Sequence, residues 1–277
     1  MLTSRLTITC TPEFSEILMA EIAEAGFDTF METETGFEAY LEGIAFDKQL
    51  LEQIKEKYAS VTPLVFQFDE IEKQNWNEAW EKNVEPIIVD DKCLVRAAFH
   101  KIEKPYPYEI IITPKMSFGT GHHQTTHLML SAQMKMDHRG KRVMDAGCGT
   151  AILSIMANKL GASEIEAFDI DEWSVENGNE NAANNNCSNI HIQLGKINEV
   201  NLSGTFDIIL ANINKNILLA EMQRYASYLK PGGQLLLSGF YVKDVPDLKT
   251  EATRYNLSEV FHQERETWAS LLLHKLT

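Results

Sequence analysis

The sequence lacks several features that define special classes of protein. Its four cysteines, Cys10, Cys93, Cys148 and Cys187, form no CxxC pair and show no zinc-like spacing. No apolar run approaches the roughly 20 residues that a membrane helix needs, and the start of the chain lacks the apolar stretch of a signal peptide. We therefore expect idle, reduced thiols, no membrane span and a cytoplasmic location.

Basic residues are also scarce. Lysine and arginine number 25 against 40 aspartates and glutamates, which gives a formal net charge of −15. Residues 1–70 alone hold 14 acidic and 4 basic residues and so carry two thirds of the net charge. This balance argues against stable binding of nucleic acid through broad phosphate neutralisation. It leaves two interpretations of residues 1–70: a solvated surface, or a docking face for a basic partner.

The 277 residues suffice for two domains. In residues 1–70, alternating and helical hydrophobic periods follow the order βαββαβ, which predicts a small α+β, ferredoxin-like domain. No catalytic cluster occurs there, so we interpret it as a binding or positioning module. Residues 71–100 are interpreted as a linker with a short helix, in which Trp76 and Trp80 share one face and favour interdomain packing.

Residues 101–277 are predicted to form the larger domain, of α/β class. From residue 141 onwards, short apolar strands alternate with amphipathic helices, and two late apolar runs, around 257–261 and 268–273, can pair as antiparallel strands. This order is typical of a Rossmann-like, doubly wound parallel sheet. Ligands of such sheets bind beyond the carboxyl ends of the strands.

A glycine-rich turn follows the first strand of this sheet. Gly147 and Gly149, in the turn 145–150, let the backbone approach a ligand closely, and Asp169 ends the next strand, where it can accept both hydroxyls of a ribose. The chain lacks GxxxxGK[ST], and Ile152 replaces the third glycine of GxGxxG. The pattern favours an adenosine ligand without phosphate, such as S-adenosylmethionine, although a turn that serves only packing remains an alternative.

Asn212 follows the fourth strand, in the segment 211–214. The amide could cap the next helix, or it could align a nitrogen atom of a substrate. The sequence around it does not distinguish these roles, so both remain open.

Three histidines raise the question of a metal. His123 and His127 are four residues apart and would share one face of a helix that began at residue 123. No third ligand accompanies them or His122 in the sequence, and the chemistry inferred here needs no metal. We therefore expect no metal site and interpret these histidines as groups that shape a loop by hydrogen bonding.

Five motifs together carry a family resemblance. They are WNEAW (76–80), FGTGHHQTT (118–126), DAGCGT (145–150), FDID (168–171) and ANI (211–213). With them the chain closely resembles, over essentially its full length, the ribosomal protein L11 methyltransferases of the PrmA type. The loop 118–126, about 20 residues before the glycine-rich turn, is the most specific of these features.

The resemblance implies a class I S-adenosylmethionine-dependent methyltransferase that modifies amino groups of ribosomal protein L11, on lysine side chains, the N-terminus or both. It implies cofactor contacts in the loop over the cofactor and along the strand ends, at Phe118, Thr126, Gly147, Gly149, Asp169 and Asn212. Thr126 is predicted to lie near a helix start, where N–H and hydroxyl groups can meet the methionyl carboxylate. Asn212 is the candidate catalytic residue.

Two other functions remain open from the sequence. One is an amino-methyltransferase that acts on RNA or on a small amine, since ANI loosely resembles the Asn-Pro-Pro loops of such enzymes. The other is a protein that binds S-adenosylmethionine without transferring its methyl group. The missing Pro-Pro pair and the acidic composition argue against the first. The sequence contains no extended coiled-coil repeat, and we expect a monomer.

Overall fold

The structure is a computed structural model and describes residues 2–27, 29–33, 35–42, 46–58, 62–72, 85–102, 104–113 and 123–276. The chain divides into two compact units, Met1–Ala79 and Trp80–Thr277, and each is described by itself. Within the described ranges, no helix is both long and apolar enough to cross a membrane. All four cysteines lie in these ranges as buried, free thiols.

The first unit is an antiparallel sheet with two helices. Its elements are β1 (Leu2–Thr9), α1 (Pro12–Glu24), β2 (Thr29–Thr33), β3 (Gly36–Glu42), α2 (Lys48–Tyr58) and β4 (Val65–Glu72). The strands pair in the order β2-β3-β1-β4. On β1, the alternating side chains of Leu6 and Ile8 are buried in the hydrophobic core. On α1, Leu18 and Ile22 lie four residues apart, on the same face of the helix, and are also buried. The predicted ferredoxin-like unit is therefore confirmed.

The second unit begins with short strands and continues as an alternation of strands and helices. Its elements are β5 (Ile87–Val89), β6 (Cys93–Arg96), β7 (Tyr108–Ile111), α3 (Gln124–Gln133), β8 (Arg142–Ala146), α4 (Ile152–Lys159), β9 (Glu164–Asp169), α5 (Glu172–Asn184), β10 (Ile190–Leu194), β11 (Phe206–Asn212), α6 (Lys215–Tyr228), β12 (Leu229–Tyr241), a 3-10 turn (Val242–Asp244), α7 (Val245–Thr253), β13 (Leu257–Arg265) and β14 (Trp268–Lys275).

Seven of these strands form one sheet in the order β10-β9-β8-β11-β12-β14-β13. The first five are parallel, and β14 is antiparallel to both β12 and β13. Val143 and Met144, neighbours on β8, belong to different hydrophobic clusters, because successive side chains of a strand point to opposite faces. One cluster takes in α3, α4 and α5, and the other takes in α6 and α7. The predicted doubly wound, Rossmann-like sheet with an antiparallel ending is confirmed.

A second, three-stranded sheet was not predicted from the sequence. Strand β6 pairs antiparallel with β5 and parallel with β7, so residues 87–96 are part of the second unit rather than of a linker that extends to residue 100. Strands of three and four residues are too short to show a period, which is why the pattern missed them. The predicted helix with Trp76 and Trp80 lies outside the described residues.

Candidate active site

The parallel strands end at one edge of the seven-stranded sheet, and a cavity of about 730 Å³ opens there. Four of the predicted cofactor residues line it: Gly147, Gly149, Asp169 and Asn212. They follow three different strands, β8, β9 and β11, whose parallel pairing brings their carboxyl ends side by side. The cavity therefore lies where ligands of doubly wound sheets bind.

The glycine-rich turn is shaped by two left-handed residues. Gly147 has a φ of +69° and Gly149 a φ of +51°, values that favour glycine. A Cβ atom on Gly147 would lie 2.4 Å from Cγ2 of Ile213, and one on Gly239 would lie 2.2 Å from the Ile213 carbonyl oxygen. Ile213 is thus held between two glycines, and a side chain at either position would displace this wall of the cavity.

Asp169 is fixed by backbone donors. Its Oδ2 atom accepts a hydrogen bond from the Gly149 N–H at 2.9 Å, and its Oδ1 atom accepts one from the Asp171 N–H at 3.1 Å. A carboxylate has about four lone-pair positions, so both oxygens keep capacity for further donors. The side chain lines the cavity and is oriented before any ligand arrives.

The structure separates the two roles considered for Asn212. The cap of α6 is Asn214, whose Oδ1 atom accepts from the Ile217 N–H at 3.1 Å. Asn212 does not make this bond: it is 9% exposed, and its buried Oδ1 atom has no hydrogen-bond partner among the residues that the structure describes. A buried amide oxygen without a partner is costly, so this atom is available to a ligand in the cavity.

Thr126 and Phe118 differ from the other predicted residues. Thr126 lies in the first turn of α3 and is fully buried with its hydroxyl oxygen unpartnered, but it does not line the cavity. His123 and Thr125, at the same helix start, do line it. Phe118, with most of the loop 118–126, lies outside the described residues.

Asp145, the last polar residue of β8, is completely buried. Ser154 donates a hydrogen bond of 2.6 Å to its Oδ2 atom, while its Oδ1 atom has no partner. Burial raises the pKa of Asp145 to about 7, and the neighbouring charge of Asp169 acts in the same direction. A carboxyl group directly beneath the glycine-rich turn is therefore close to half-protonated at neutral pH.

Two histidines lie at the start of α3 and within it. His123 precedes this helix, its Nδ1 atom accepts from the Thr125 N–H at 3.3 Å, and its ring packs edge-on against Trp268 at 4.6 Å between centroids. His127 lies within hydrogen-bonding distance of Arg265, with 3.2 Å between Nε2 and Nη1. Burial and this arginine lower the pKa of His127. Within the described part of the chain, no three metal-ligating side chains cluster.

These groups fit S-adenosylmethionine. A volume of about 730 Å³ is in the range of small-molecule sites of roughly 300–1,000 Å³. Asp169 suits the ribose hydroxyls, the left-handed turn at Gly147 admits close approach, and the unpartnered oxygen of Asn212 suits an amino group. Among the described residues, the charged groups of the lining are three carboxylates and one lysine, which favours a cationic sulfonium; they are Asp169, Asp171, Glu221 and Lys196.

Other lining residues were missed from the sequence. Trp268 begins β14, and Ile217 and Glu221 lie on one face of α6. Each looked like an ordinary strand or helix residue, because nothing local marks which side of an amphipathic helix meets a cavity rather than the core. Only Trp268, as a large aromatic residue at a strand start, offered a weak signal.

Comparison with known proteins gives one consistent result. A family model described as ribosomal protein L11 methyltransferase (PrmA) matches residues 10–276. A ribosomal protein L11 methyltransferase of Porphyromonas gingivalis is 48% identical over 263 residues, which cover 92% of this chain and 89% of the relative. One of Phocaeicola vulgatus is 40% identical over 264 residues, covering 95% and 94%.

Solved structures agree with these relatives. A ribosomal protein L11 methylase from Lactobacillus delbrueckii subsp. bulgaricus matches with a TM-score of 0.65 and 26% identity, over 70% of this chain and all of that one. A methyltransferase from Pyrococcus furiosus matches with a TM-score of 0.50 and 20% identity, over 61% of this chain and 90% of that one, which shows the fold alone.

Proposed function

The chain belongs to the ribosomal protein L11 methyltransferase family, and we propose that its cavity binds S-adenosylmethionine at Gly147, Gly149, Asp169 and Asn212 and delivers the methyl group to amino groups of ribosomal protein L11. The predicted activity and cofactor, an S-adenosylmethionine-dependent protein methyltransferase, are confirmed by this membership. The residues that perform the reaction, and whether lysine side chains, the N-terminus or both receive the methyl group, are the proposal.

The observation that carries the proposal is the convergence of three strand ends on one cavity. Asp169, fixed by two backbone donors, would hold the ribose hydroxyls, and the turn at Gly147 would pass beside the methionyl part. The N–H groups at the start of α3, where His123 and Thr125 line the cavity, would meet the methionyl carboxylate, while Thr126 and Phe118 stay predicted contacts implied by the family resemblance. When bound, S-adenosylmethionine supplies an electrophilic methyl group on a sulfonium.

The main obstacle to methylation of a lysine is its proton. With a pKa near 10.4, about 0.1% of the amine is neutral at pH 7.4, which is a penalty of roughly 4 kcal/mol. An apolar pocket and the positive charge of a nearby sulfonium would both lower this pKa. Asn212 is uncharged and its Oδ1 atom is unpartnered, so it would accept an N–H of the amine and orient the lone pair without stabilising the ammonium form.

The first unit would recognise the substrate. Residues 1–70 stay the proposed recognition domain. The linker, predicted as 71–100, is shortened to end before residue 87, because β5 and β6 belong to the second unit, and the methyltransferase domain is lengthened accordingly. Ribosomal proteins are generally basic, so an excess of ten acidic residues over basic ones in 1–70 suits capture by complementary charge. We expect the KM for ribosomal protein L11 to rise with ionic strength while cofactor affinity changes little. A KM that is independent of salt contradicts this role.

The remaining expectations follow from the same chemistry. We place the reaction in the cytoplasm, with the enzyme acting as a monomer and without stable binding of nucleic acid. The net charge of −15 and the free, buried thiols support this placement.

One experiment tests the function against its alternatives. Purified enzyme is given S-adenosylmethionine with a labelled methyl group, together with ribosomal protein L11, ribosomal RNA or free lysine. We expect label in ribosomal protein L11 alone, in acid-stable N-methyl groups. Label in RNA or in free lysine would favour the alternative amino-methyltransferase, and calorimetric binding of the cofactor without any transfer would favour a binding protein.

A further inference from the structure

One wall of the cavity is helical. It is formed by α6, where Ile217, Glu221 and Tyr225 line the cavity at a spacing of four residues. Residues four apart share one face of a helix, so these three form a continuous strip. The strip runs from the rim of the cavity towards the core, where Tyr225 is fully buried.

Glu221 is the polar group of this strip that is left to a ligand. The Tyr225 hydroxyl donates a hydrogen bond of 2.5 Å to its Oε2 atom. Burial and the neighbouring Glu221 charge raise the pKa of Tyr225 far above its ordinary value, so the hydroxyl stays a donor. Among the described residues, Glu221 has no ion-pair partner, and its bond from Tyr225 uses Oε2, so the Oε1 atom keeps its acceptor capacity. The tyrosine thus orients a carboxylate that faces the cavity.

The cavity that Glu221 lines also offers apolar contacts for a flat ring. Ile170, Ile197 and Phe168 line the same cavity as the strip on α6. The other two acidic side chains of the lining have other partners or roles. Asp169 is the proposed acceptor for the ribose hydroxyls, and Asp171 caps α5 by accepting from the Trp173 N–H and the Ser174 hydroxyl. Lys196 can only donate. A ring with an exocyclic amino group would therefore find its apolar contacts and one carboxylate acceptor here.

We propose that Glu221 accepts a hydrogen bond from the 6-amino group of the cofactor's adenine, and that Tyr225 is a positioning residue that orients the Glu221 carboxylate. This inference rests on the proposed binding of S-adenosylmethionine and names the group that selects its base. An N–H donor of adenine would be accepted by the Oε1 atom of Glu221. Hypoxanthine presents a carbonyl oxygen at the same position, so a carboxylate would repel it.

The test compares two ligands by calorimetry: S-adenosylhomocysteine and its deaminated analogue, S-inosylhomocysteine. We expect the parent enzyme to prefer the adenine compound by about thirtyfold, because a site built to accept an N–H rejects a ligand that lacks it. In Glu221→Gln, whose amide can accept or donate, the preference should fall to about threefold or less. Glu221→Leu should lose about tenfold in affinity for S-adenosylhomocysteine alone.

Control measurements distinguish a misfolded variant, a failure of the Glu221 inference and a failure of the proposed function. Glu176→Gln removes an exposed carboxylate of α5 and should leave both affinities unchanged; melting temperatures check that each variant is folded. A preference that survives in both Glu221 variants overturns the inference. So does an unchanged cofactor affinity combined with a raised KM for ribosomal protein L11, since Glu221 would then hold a substrate amine. If the parent enzyme binds neither ligand, the proposed function itself fails.

Discussion

The two ends of the same parallel strands are built in opposite ways. At the amino ends, charged side chains are paired: Arg142 donates to Glu164 at 2.7 Å and to Glu166 at 2.5 Å. Asp207 accepts from Lys230 at 2.8 Å and from the backbone N–H of Arg142 at 2.9 Å. In the described structure, none of these five side chains has a buried polar atom without a partner. The paired charges at the amino ends therefore stabilise the fold.

At the carboxyl ends, polar atoms are left without partners. Within the described ranges, the buried Oδ1 atoms of Asp145 and Asn212 have no hydrogen-bond partner, and the same holds for the hydroxyl of Thr126 on α3. Left-handed glycines and a cavity accompany them. Each such buried group costs about 1–3 kcal/mol. A ligand that made the missing contacts at the carboxyl ends would offset that cost.

The largest effect should come from Gly147→Ala. Its Cβ atom would lie 2.4 Å from the Ile213 side chain, and its φ of +69° disfavours alanine. We expect calorimetric affinity for S-adenosylhomocysteine to fall by at least about a hundredfold, since Ile213 must move. Gly140→Ala is the matched control, because its φ of +68° is similar but nothing lies within 4 Å of the added atom. Equal affinities in the two variants would contradict the close-approach role.

The next effect is a dependence of stability on pH. Asp145 has a pKa of about 7 in the native state, against about 3.9 when exposed in the unfolded chain. The native state therefore binds more protons between pH 4 and 7, and its stability falls as pH rises through that window, by up to roughly 4 kcal/mol. Urea titrations at pH 4 and pH 8 should show this loss in the parent and not in Asp145→Asn. A constant difference between the two proteins would exclude it.

Asn212→Asp should mainly slow the reaction. A carboxylate stabilises the ammonium form of the substrate, so turnover should fall by about a hundredfold, while affinity for the cofactor stays within about threefold. Asn179→Asp serves as the control, since this exposed residue of α5 is not among the residues that line the cavity and the change should leave turnover unchanged. Single-turnover kinetics and calorimetry measure the two quantities separately. Equal turnover in Asn212→Asp would remove the argument for an uncharged group.

The smallest expected effect is a loss of stability from a substitution at the amino ends of the strands. Arg142→Ala leaves Glu166, whose side chain is only 7% exposed, without its cation, and should lower the free energy of unfolding by about 2 kcal/mol. Arg254→Ala removes an exposed pair with Glu251 and should cost about 0.5 kcal/mol or less. Turnover per folded molecule should be unchanged in both variants. A loss of turnover in Arg142→Ala would contradict the view that the amino ends stabilise the fold and only the carboxyl ends form the site.

Several site residues were predictable because their signals are local. The turn at Gly147 and Gly149 requires glycine, and Asp169 ends a strand at the expected distance along the chain. Glu221 and Trp268 could not be found in this way, because a helix face or a strand start shows no local sign of what it meets across the cavity. Strands β5 and β6 were missed for a related reason: their pairing partners, not their own composition, stabilise them.

The sequence by itself determined the order of strands and helices, the doubly wound class of the sheet and the turn chemistry at Gly147, because hydrophobic period and backbone sterics act over a few residues. Tertiary structure alone decided that the Asn212 side chain lies at the cavity with its Oδ1 atom unpartnered among the described residues, and that Glu221 faces the same cavity. Those outcomes depend on which residues, distant along the chain, surround each side chain, and these neighbours are set only after the strands have paired.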